Sequence, residues 1–150
     1  YKRHVATCGS AISKDKPIEM GNYPYPIYTV YANQSETDIY MMTKAMILGF
    51  DAYKDGAPGA MGMAAKAQTK NWSVPVHKGA VKALKEAGAW SDEQEAFNNA
   101  LLKRQETLAA AWAAYTKDNP PADAAKFVES WLAVRAAALA KANLANGFEM

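Results

Sequence analysis

Two histidines and one cysteine are the side chains best suited to catalysis or metal binding in this sequence. His4 and His77 lie in different segments, and neither has a carboxylate at metal-ligand spacing beside it, so the pattern gives little support to a zinc site. The immediate neighbours of Cys8, which include Gly9, offer no group that would stabilise a thiolate, the reactive form of the thiol. His77 lies between Val76 and Lys78, at a predicted helix start, and suits a cap or a core hydrogen bond better than catalysis. We predict no catalytic residue, no metal and no cofactor, and we expect that the protein is not an enzyme.

A cluster of tyrosines is the stronger candidate for a binding site. Four of them fall between residues 23 and 31, and the first two are each followed by a proline, which stiffens the backbone. Because side chains alternate along an extended segment, Tyr28 and Tyr31 point to opposite faces, and at least one hydroxyl reaches solvent or a ligand. For Tyr23 and Tyr25 two interpretations stay open: contact with a ligand, or rings that cover the edge of a sheet.

Length and charge limit the class of protein. The chain has 150 residues, half of them hydrophobic, which is enough for one ordinary domain with a core. Its 17 basic and 15 acidic residues are spread along the sequence and give a net charge of +2, so no basic stripe for nucleic acid is present and we expect no nucleic-acid partner. The longest uncharged run, residues 20–35, is too short and too rich in glycine and proline to span a membrane. The start at Tyr1, with no initiator methionine or signal-peptide pattern, suggests a processed or truncated product.

The first third of the chain is strand and turn material. Residues 4–8, 17–20 and 27–32 are short apolar runs separated by glycine and proline. The run 27–32 is rich in β-branched and aromatic residues, which predicts a strand. The two upstream runs are weaker predictions, because each needs a partner strand.

From Ser35 onward the pattern is helical. Ser35 and Asp38 stand at capping spacing, and the apolar stripe that follows predicts a helix ending near residues 55–56. A short apolar helix is predicted over residues 60–67. Another is predicted over residues 77–87, with Gly88 as its left-handed stop.

The last third predicts two long helices joined by a proline break. Ser91 and Gln94 form a capping box at the start of the first helix. Pro121 is expected in the first turn of the second helix, where its missing N–H donor costs nothing. Short connections favour an antiparallel hairpin, with Trp112 and Trp131 on the inward stripes.

The second helix of this hairpin is expected to fray near residues 143–147. Together these patterns predict an α/β, helix-dominated fragment with one or a few short strands and a C-terminal helical hairpin. Residues 1–34 form a strand and turn segment of an incomplete α/β lobe, residues 35–90 a group of helices, and residues 91–150 the hairpin.

Three blocks of sequence are similar to a known family. Residues 37–45 (Thr-Asp-Ile-Tyr-Met-Met-Thr-Lys-Ala), 76–80 (Val-His-Lys-Gly-Ala) and 86–90 (Glu-Ala-Gly-Ala-Trp) resemble the C-terminal signature of the TAXI family of TRAP transporter solute receptors. The resemblance covers roughly residues 18–115. Receptors of this family are about twice as long, as two lobes require, so the chain resembles the second half of such a receptor.

The resemblance implies a type II periplasmic binding fold, in which two lobes close on a carboxylate-bearing solute without performing chemistry. It implies transport in the bacterial periplasm, with three partners: the missing N-terminal half, a TRAP membrane permease and a small organic anion. Tyr23 and Tyr25 fall where the interlobe cleft is expected and are the implied ligand contacts. The arginine that clamps a solute carboxylate has no convincing candidate here and is expected in the absent half. Lys78 stands where the family usually has proline, which leaves the local turn open.

An alternative function from a different class also stays open. The chain is then a receptor-derived accessory or scaffold subunit of a larger complex, one that has lost solute binding. The alanine-rich tail after Asn119, which extends past the family core, is the sequence feature that favours this alternative.

Overall fold

The computed structural model describes residues 2–7, 9–22, 27–57, 59–69 and 73–147. Helices dominate these residues, and a short antiparallel sheet of two strands accompanies them, as the sequence predicts. The helices pack against one another, and the two strands pair with each other.

The sheet consists of β1 (Lys2–Ala6) and β2 (Ile18–Asn22). Val5 lies opposite Glu19, and Ala6 lies opposite Ile18. The two upstream runs therefore supply each other's partner. The strand predicted over residues 27–32 is wrong, since residues 27–31 have no regular secondary structure and a turn begins at Ala32. β-branched residues fit a pleated sheet, but a strand also needs a neighbour for its backbone groups.

The first helical region has a break that the sequence pattern does not predict. α1 spans Glu36–Leu48, and the short α2 spans Phe50–Tyr53. The Ser35 hydroxyl accepts a hydrogen bond from the Asp38 amide at 3.3 Å, which confirms the predicted start. Two 3₁₀ helices, Ala60–Met63 and Ala65–Thr69, replace the single short helix predicted over residues 60–67.

α3 (Lys78–Glu86) and α4 (Asp92–Lys117) begin and end as predicted. Gly88 has a φ of 64°, and the Ala89 amide donates to the Leu84 carbonyl at 2.9 Å, which closes the end of α3 with a left-handed residue. Ser91 and Gln94 form both bonds of the predicted capping box.

α5 (Ala124–Lys141) packs against α4 and forms the predicted hairpin. The prediction that Pro121 opens this helix is wrong: Asp123 is the N-cap, and its carboxylate accepts from the Lys126 amide at 3.0 Å. A side-chain acceptor satisfies an orphan backbone donor, whereas proline at the helix start only avoids one.

Four aromatic rings pack at the end of the hairpin where its two helices are connected: Trp112, Tyr115, Phe127 and Trp131. The rings of Trp112 and Trp131 meet edge to face, with centroids 4.9 Å apart. The Tyr115 hydroxyl lies 2.6 Å from the Ser130 hydroxyl. Trp112 is nevertheless 42% exposed, so the predicted inward stripe of α4 turns partly toward solvent at this residue.

The end of α5 is ordered by hydrogen bonds rather than frayed. Asn143 has a φ of 56°, and the Leu144 amide donates to the carbonyl of the fully buried Leu139 at 2.9 Å. Arg104 of α4, 8% exposed, donates to the carbonyls of Ala145 and Asn146. The chain after α5 is thereby held against α4.

Candidate functional site

An open groove of about 980 Å³ is bounded by residues 27–32, α1, α3 and α4. Its size matches pockets that hold small organic ligands. Much of its lining is apolar and is contributed by Ile27, Val30, Met42, Met46, Val74 and Leu102. Polar and charged side chains also line the groove, among them His77, Lys82 and Asn98, and they decide which polar groups it can recognise.

The wall formed by α1 and α3 depends on a close backbone contact at Gly79. A Cβ atom on this residue would lie against the Glu36 carbonyl oxygen and 2.8 Å from the Tyr40 nitrogen. The buried side chains Ile39, Val81 and Leu84 pack around this contact. The helices α1 and α3 therefore pack directly on each other.

A polar network closes one end of this wall. The Tyr40 hydroxyl donates to the Glu86 carboxylate at 2.8 Å, and the Lys44 ammonium donates to the Tyr40 hydroxyl at 2.7 Å and to Glu86 at 3.0 Å. The hydrogen bond from Lys44 is the largest cause that lowers the pKa of Glu86, and the one from Tyr40 is the next. Both favour the ionised carboxylate. This network links residues 40 and 44 of α1 to the last residue of α3.

Two further lysines of α3 pair with glutamates of neighbouring elements. Lys78 contacts Glu36 of α1 at 2.9 Å, and Lys85 contacts Glu95 of α4 at 2.8 Å. The hydrogen bonds from these lysines lower the pKa of each glutamate. The Trp90 indole also donates to Glu95, at 2.6 Å. These ion pairs link α3 to α1 on one side and to α4 on the other, and each lysine faces a carboxylate.

Lys82 is the lysine of α3 whose charge remains available. Its ammonium lies 4.6 Å from the centroid of the Tyr40 ring, a cation–π contact. Among the described residues, Lys82 has no carboxylate within ion-pair distance. Since Lys82 lines the groove, it is the cation there best placed to meet an anionic group.

His77 caps α3, which agrees with its predicted role. Its Nδ1 accepts a hydrogen bond from the Gly79 amide at 3.1 Å, so in the neutral ring the proton resides on Nε2. That Nε2 is buried and has no hydrogen-bond partner within the described part of the chain. The ring is therefore a structural cap with one unused donor at the groove.

Asn98 connects α4 to the segment that precedes α3. Its side-chain oxygen accepts from the Val76 amide at 2.7 Å, and its nitrogen donates to the Val76 carbonyl at 3.4 Å. Asn98 is buried, so these paired bonds replace the water that both groups lose. They join α4 to the segment that precedes α3. Both residues line the groove, so these bonds hold two of its walls together.

The predicted ligand contacts Tyr23 and Tyr25 lie outside the described residues, and their role stays a prediction. Their described continuation, residues 27–32, borders the groove, and Tyr28 within it is 66% exposed. Sequence reasoning did not single out Tyr40, Lys44 or Glu86. The spacing of Tyr40 and Lys44, four residues apart on one helix, was a usable signal. Glu86 comes from another helix and gave none.

The described residues contain no group of three or more histidine, cysteine or acidic side chains that could hold a metal ion. None of the helices in the described ranges is long and apolar enough to cross a membrane. The groove thus combines apolar walls, the ion pairs of Lys78 and Lys85, and the cation of Lys82, which has no ion-pair partner among the described residues.

Comparison with known proteins identified no relative: no protein-family model, no curated protein and no solved structure matches this chain.

Proposed function

We propose that this chain is the C-terminal portion of a TRAP-type extracytoplasmic solute receptor of the TAXI family. It binds a small carboxylate solute in the bacterial periplasm and performs no chemistry. Its lobe belongs to the type II periplasmic binding fold. Its partners are the N-terminal half of the receptor, or another subunit in that place, and a TRAP membrane permease.

One observation carries the proposal: the family-like blocks, distant in sequence, pack together as one wall of a ligand-sized groove. Block 37–45 lies in α1, and block 76–80 supplies the cap and first turn of α3. Gly79 of the second block makes the closest contact between the two helices. If these blocks served only to form local turns, their residues would not be expected to pack together beside a groove.

The chemistry of the groove supports an anionic solute. Lys82 adds a positive charge that has no ion-pair partner among the described residues, whereas Lys78 and Lys85 are paired with glutamates. A single lysine gives a point charge and not the bidentate grip of an arginine. We therefore expect the groove to supply one side of the site, with the second lobe completing the anion clamp.

Titration by NMR tests this proposal, because it detects the weak binding expected of half a site. We expect 2-oxoglutarate, glutamate or a C4-dicarboxylate to shift amide signals of α1 and α3 with a dissociation constant of about 1 mM or weaker. Lys82→Gln should reduce these shifts severalfold. Calorimetry on the chain alone should show no measurable heat of binding.

Lys103→Gln is the matched control, since Lys103 is exposed on α4 and does not line the groove. It removes the same charge and should leave the titration unchanged. Amide shifts confined to residues outside the groove would contradict the proposed site, and so would shifts that are reduced equally in both variants.

A second function, an accessory or scaffold subunit, is favoured by one specific observation. Val128 and Leu132 of α5 are more than half exposed, and Trp112 of α4 is 42% exposed. Apolar side chains on an exposed helical hairpin are suited to contact with another protein. This function predicts a stoichiometric partner that binds the hairpin, and no response of the groove to any carboxylate.

A further inference from the structure

The turn after α5 brings together an asparagine, a glycine and two arginines. Asn146 is the one asparagine of the sequence that is followed by glycine, Gly147. Both residues are exposed and lie in a bend. This pair is chemically special because a glycine after asparagine leaves the backbone nitrogen sterically free to approach the side-chain amide.

Two guanidinium groups, one from each helix of the hairpin, converge on Asn146. Arg135 donates to the Asn146 side-chain oxygen at 2.6 Å and to its main-chain oxygen at 2.7 Å. Arg104 donates to the same main-chain oxygen at 3.1 Å. Burial, and then the nearby charge of Arg135, lowers the pKa of Arg104. Arg135 has no carboxylate partner among the described residues, so its charge is met there by a neutral amide.

Gly147 leaves room for reaction at this turn. Its amide donates no hydrogen bond within the described residues. A Cβ atom built on it would meet nothing within 4 Å, and its φ is not in the left-handed region. An alanine at this position therefore fits the fold, which provides a clean control.

We propose that Asn146 is a site of spontaneous deamidation and that the aspartate it yields forms an ion pair with Arg135. The Gly147 nitrogen loses its proton and attacks Cγ of Asn146, forming a carbon–nitrogen bond. The side-chain nitrogen leaves as ammonia, which carries away that proton. Water then opens the five-membered succinimide. The net change replaces NH2 by OH, consumes one water, releases one ammonia and involves no redox reagent.

The two products of ring opening have opposite effects on the turn. Aspartate keeps the backbone and replaces a neutral acceptor by a charged one, and hydrogen bonds between charged groups are shorter and stronger. Isoaspartate inserts an extra methylene into the backbone and moves the main-chain oxygen away from both arginines. The modification is therefore able to strengthen or break the contacts that hold residues 145 and 146 against α4 and α5.

Peptide mapping of the intact chain after incubation at mildly alkaline pH tests the reaction. We expect Asn146 to convert faster than every other asparagine, with succinimide, aspartate and isoaspartate as products. Asn98 is the internal standard, because its side-chain amide is buried and forms two hydrogen bonds with the backbone of Val76. Gly147→Ala should slow conversion at least tenfold while leaving the circular dichroism unchanged. Conversion of Asn146 no faster than that of the other asparagines, or insensitive to Gly147→Ala, would overturn the reaction.

A double-mutant cycle tests the ion pair separately. Asn146→Asp should raise the thermal midpoint by about 1 to 3 °C, since a carboxylate adds charge attraction to the hydrogen bond that the Arg135 guanidinium already donates. The same change in an Arg135→Gln background should give no increase. Lys126→Gln, which removes an exposed charge of α5 away from the turn, should leave the increase intact. An increase that survives Arg135→Gln, or no increase at all, would overturn the assignment of Arg135.

Discussion

The contact between α1 and α3 depends on residue 79 having no side chain. The Glu36 carbonyl and the Tyr40 nitrogen that face Gly79 belong to the backbone of α1, so they cannot move aside as a flexible side chain can. Any larger residue has to push the helices apart and open the buried contacts around Ile39 and Leu84.

We predict that Gly79→Ala lowers the free energy of unfolding by about 1 to 3 kcal/mol, as overpacking in a close contact does. Urea unfolding followed by circular dichroism measures it. Gly62→Ala is the control, because a Cβ there meets nothing within 4 Å, and it should stay within about 0.5 kcal/mol of the original chain. Equal stability of both variants would show that the helices are not in this contact.

The carboxylate of Glu86 gives the same helix pair a dependence on pH. Its pKa is lowered from the ordinary 4.5 by hydrogen bonds from Lys44 and Tyr40. A lowered pKa in the folded state means that the ionised form stabilises the fold. This stabilisation is complete above the unfolded pKa and is lost as pH falls through the folded pKa.

The urea midpoint should therefore fall as pH drops below 4.5, the ordinary value. Glu86→Gln should lower the midpoint near neutral pH and make the acid loss shallower. Glu36 and Glu95 have lowered pKa values as well, so part of the slope should remain. Glu106→Gln, on the exposed surface of α4, removes a carboxylate outside this network and is the matched control. An unchanged profile in Glu86→Gln would show that the Tyr40 network does not contribute to stability.

At the scale of the elements, the aromatic cluster of the hairpin contains one tryptophan that is half-buried and one that is more exposed. Trp131 is half-buried and contacts Trp112 and Tyr115, with ring centroids 4.9 and 5.5 Å away. Trp112 shares these contacts but is 42% exposed. The two tryptophans, which the sequence places on equivalent stripes, are therefore not equivalent in the fold.

Truncating Trp131 to alanine should cost about 3 kcal/mol, the lower end of the range for large aromatic deletions. Trp112→Ala should cost less, because water already reaches part of its ring. Val128→Ala, on the exposed face of α5, should change stability by no more than about 0.5 kcal/mol. Thermal or urea unfolding measures the stability of the three variants. An equal loss of stability in Trp112→Ala and Trp131→Ala would contradict the packing of these rings.

Elements whose ends depend on local bonds could be predicted from sequence, and the others could not. The caps at Ser35 and Ser91 and the stop at Gly88 involve neighbours within a few residues, so the pattern carries the information. Residues 27–32 have the composition of a strand but no regular structure, because strand formation depends on pairing with a distant segment. In the groove, the contact of Gly79 and the hydrogen bonds of Glu86 join separate helices. No pattern of neighbouring residues in the sequence indicates them.

At the scale of the whole molecule, few large side chains of the described residues are fully buried, and many apolar ones remain exposed. The apolar core of the described residues is concentrated where α3 meets α1, with Leu101 and Leu139 in the hairpin. Val5, Ile18 and Met20 of the two-stranded sheet are about half exposed. A sheet of two strands is marginal without further cover. These exposed surfaces support the proposal that a second lobe or subunit completes the protein.

Native mass spectrometry of the protein isolated gently from its source tests the central proposal most directly. We predict a complex of this chain with a second polypeptide of similar size, which releases a small organic acid when collisionally activated. That result would identify both the complement and the solute. A lone chain without ligand, or a stoichiometric complex with an unrelated protein and no organic acid, would contradict the receptor proposal; the second outcome would favour the scaffold.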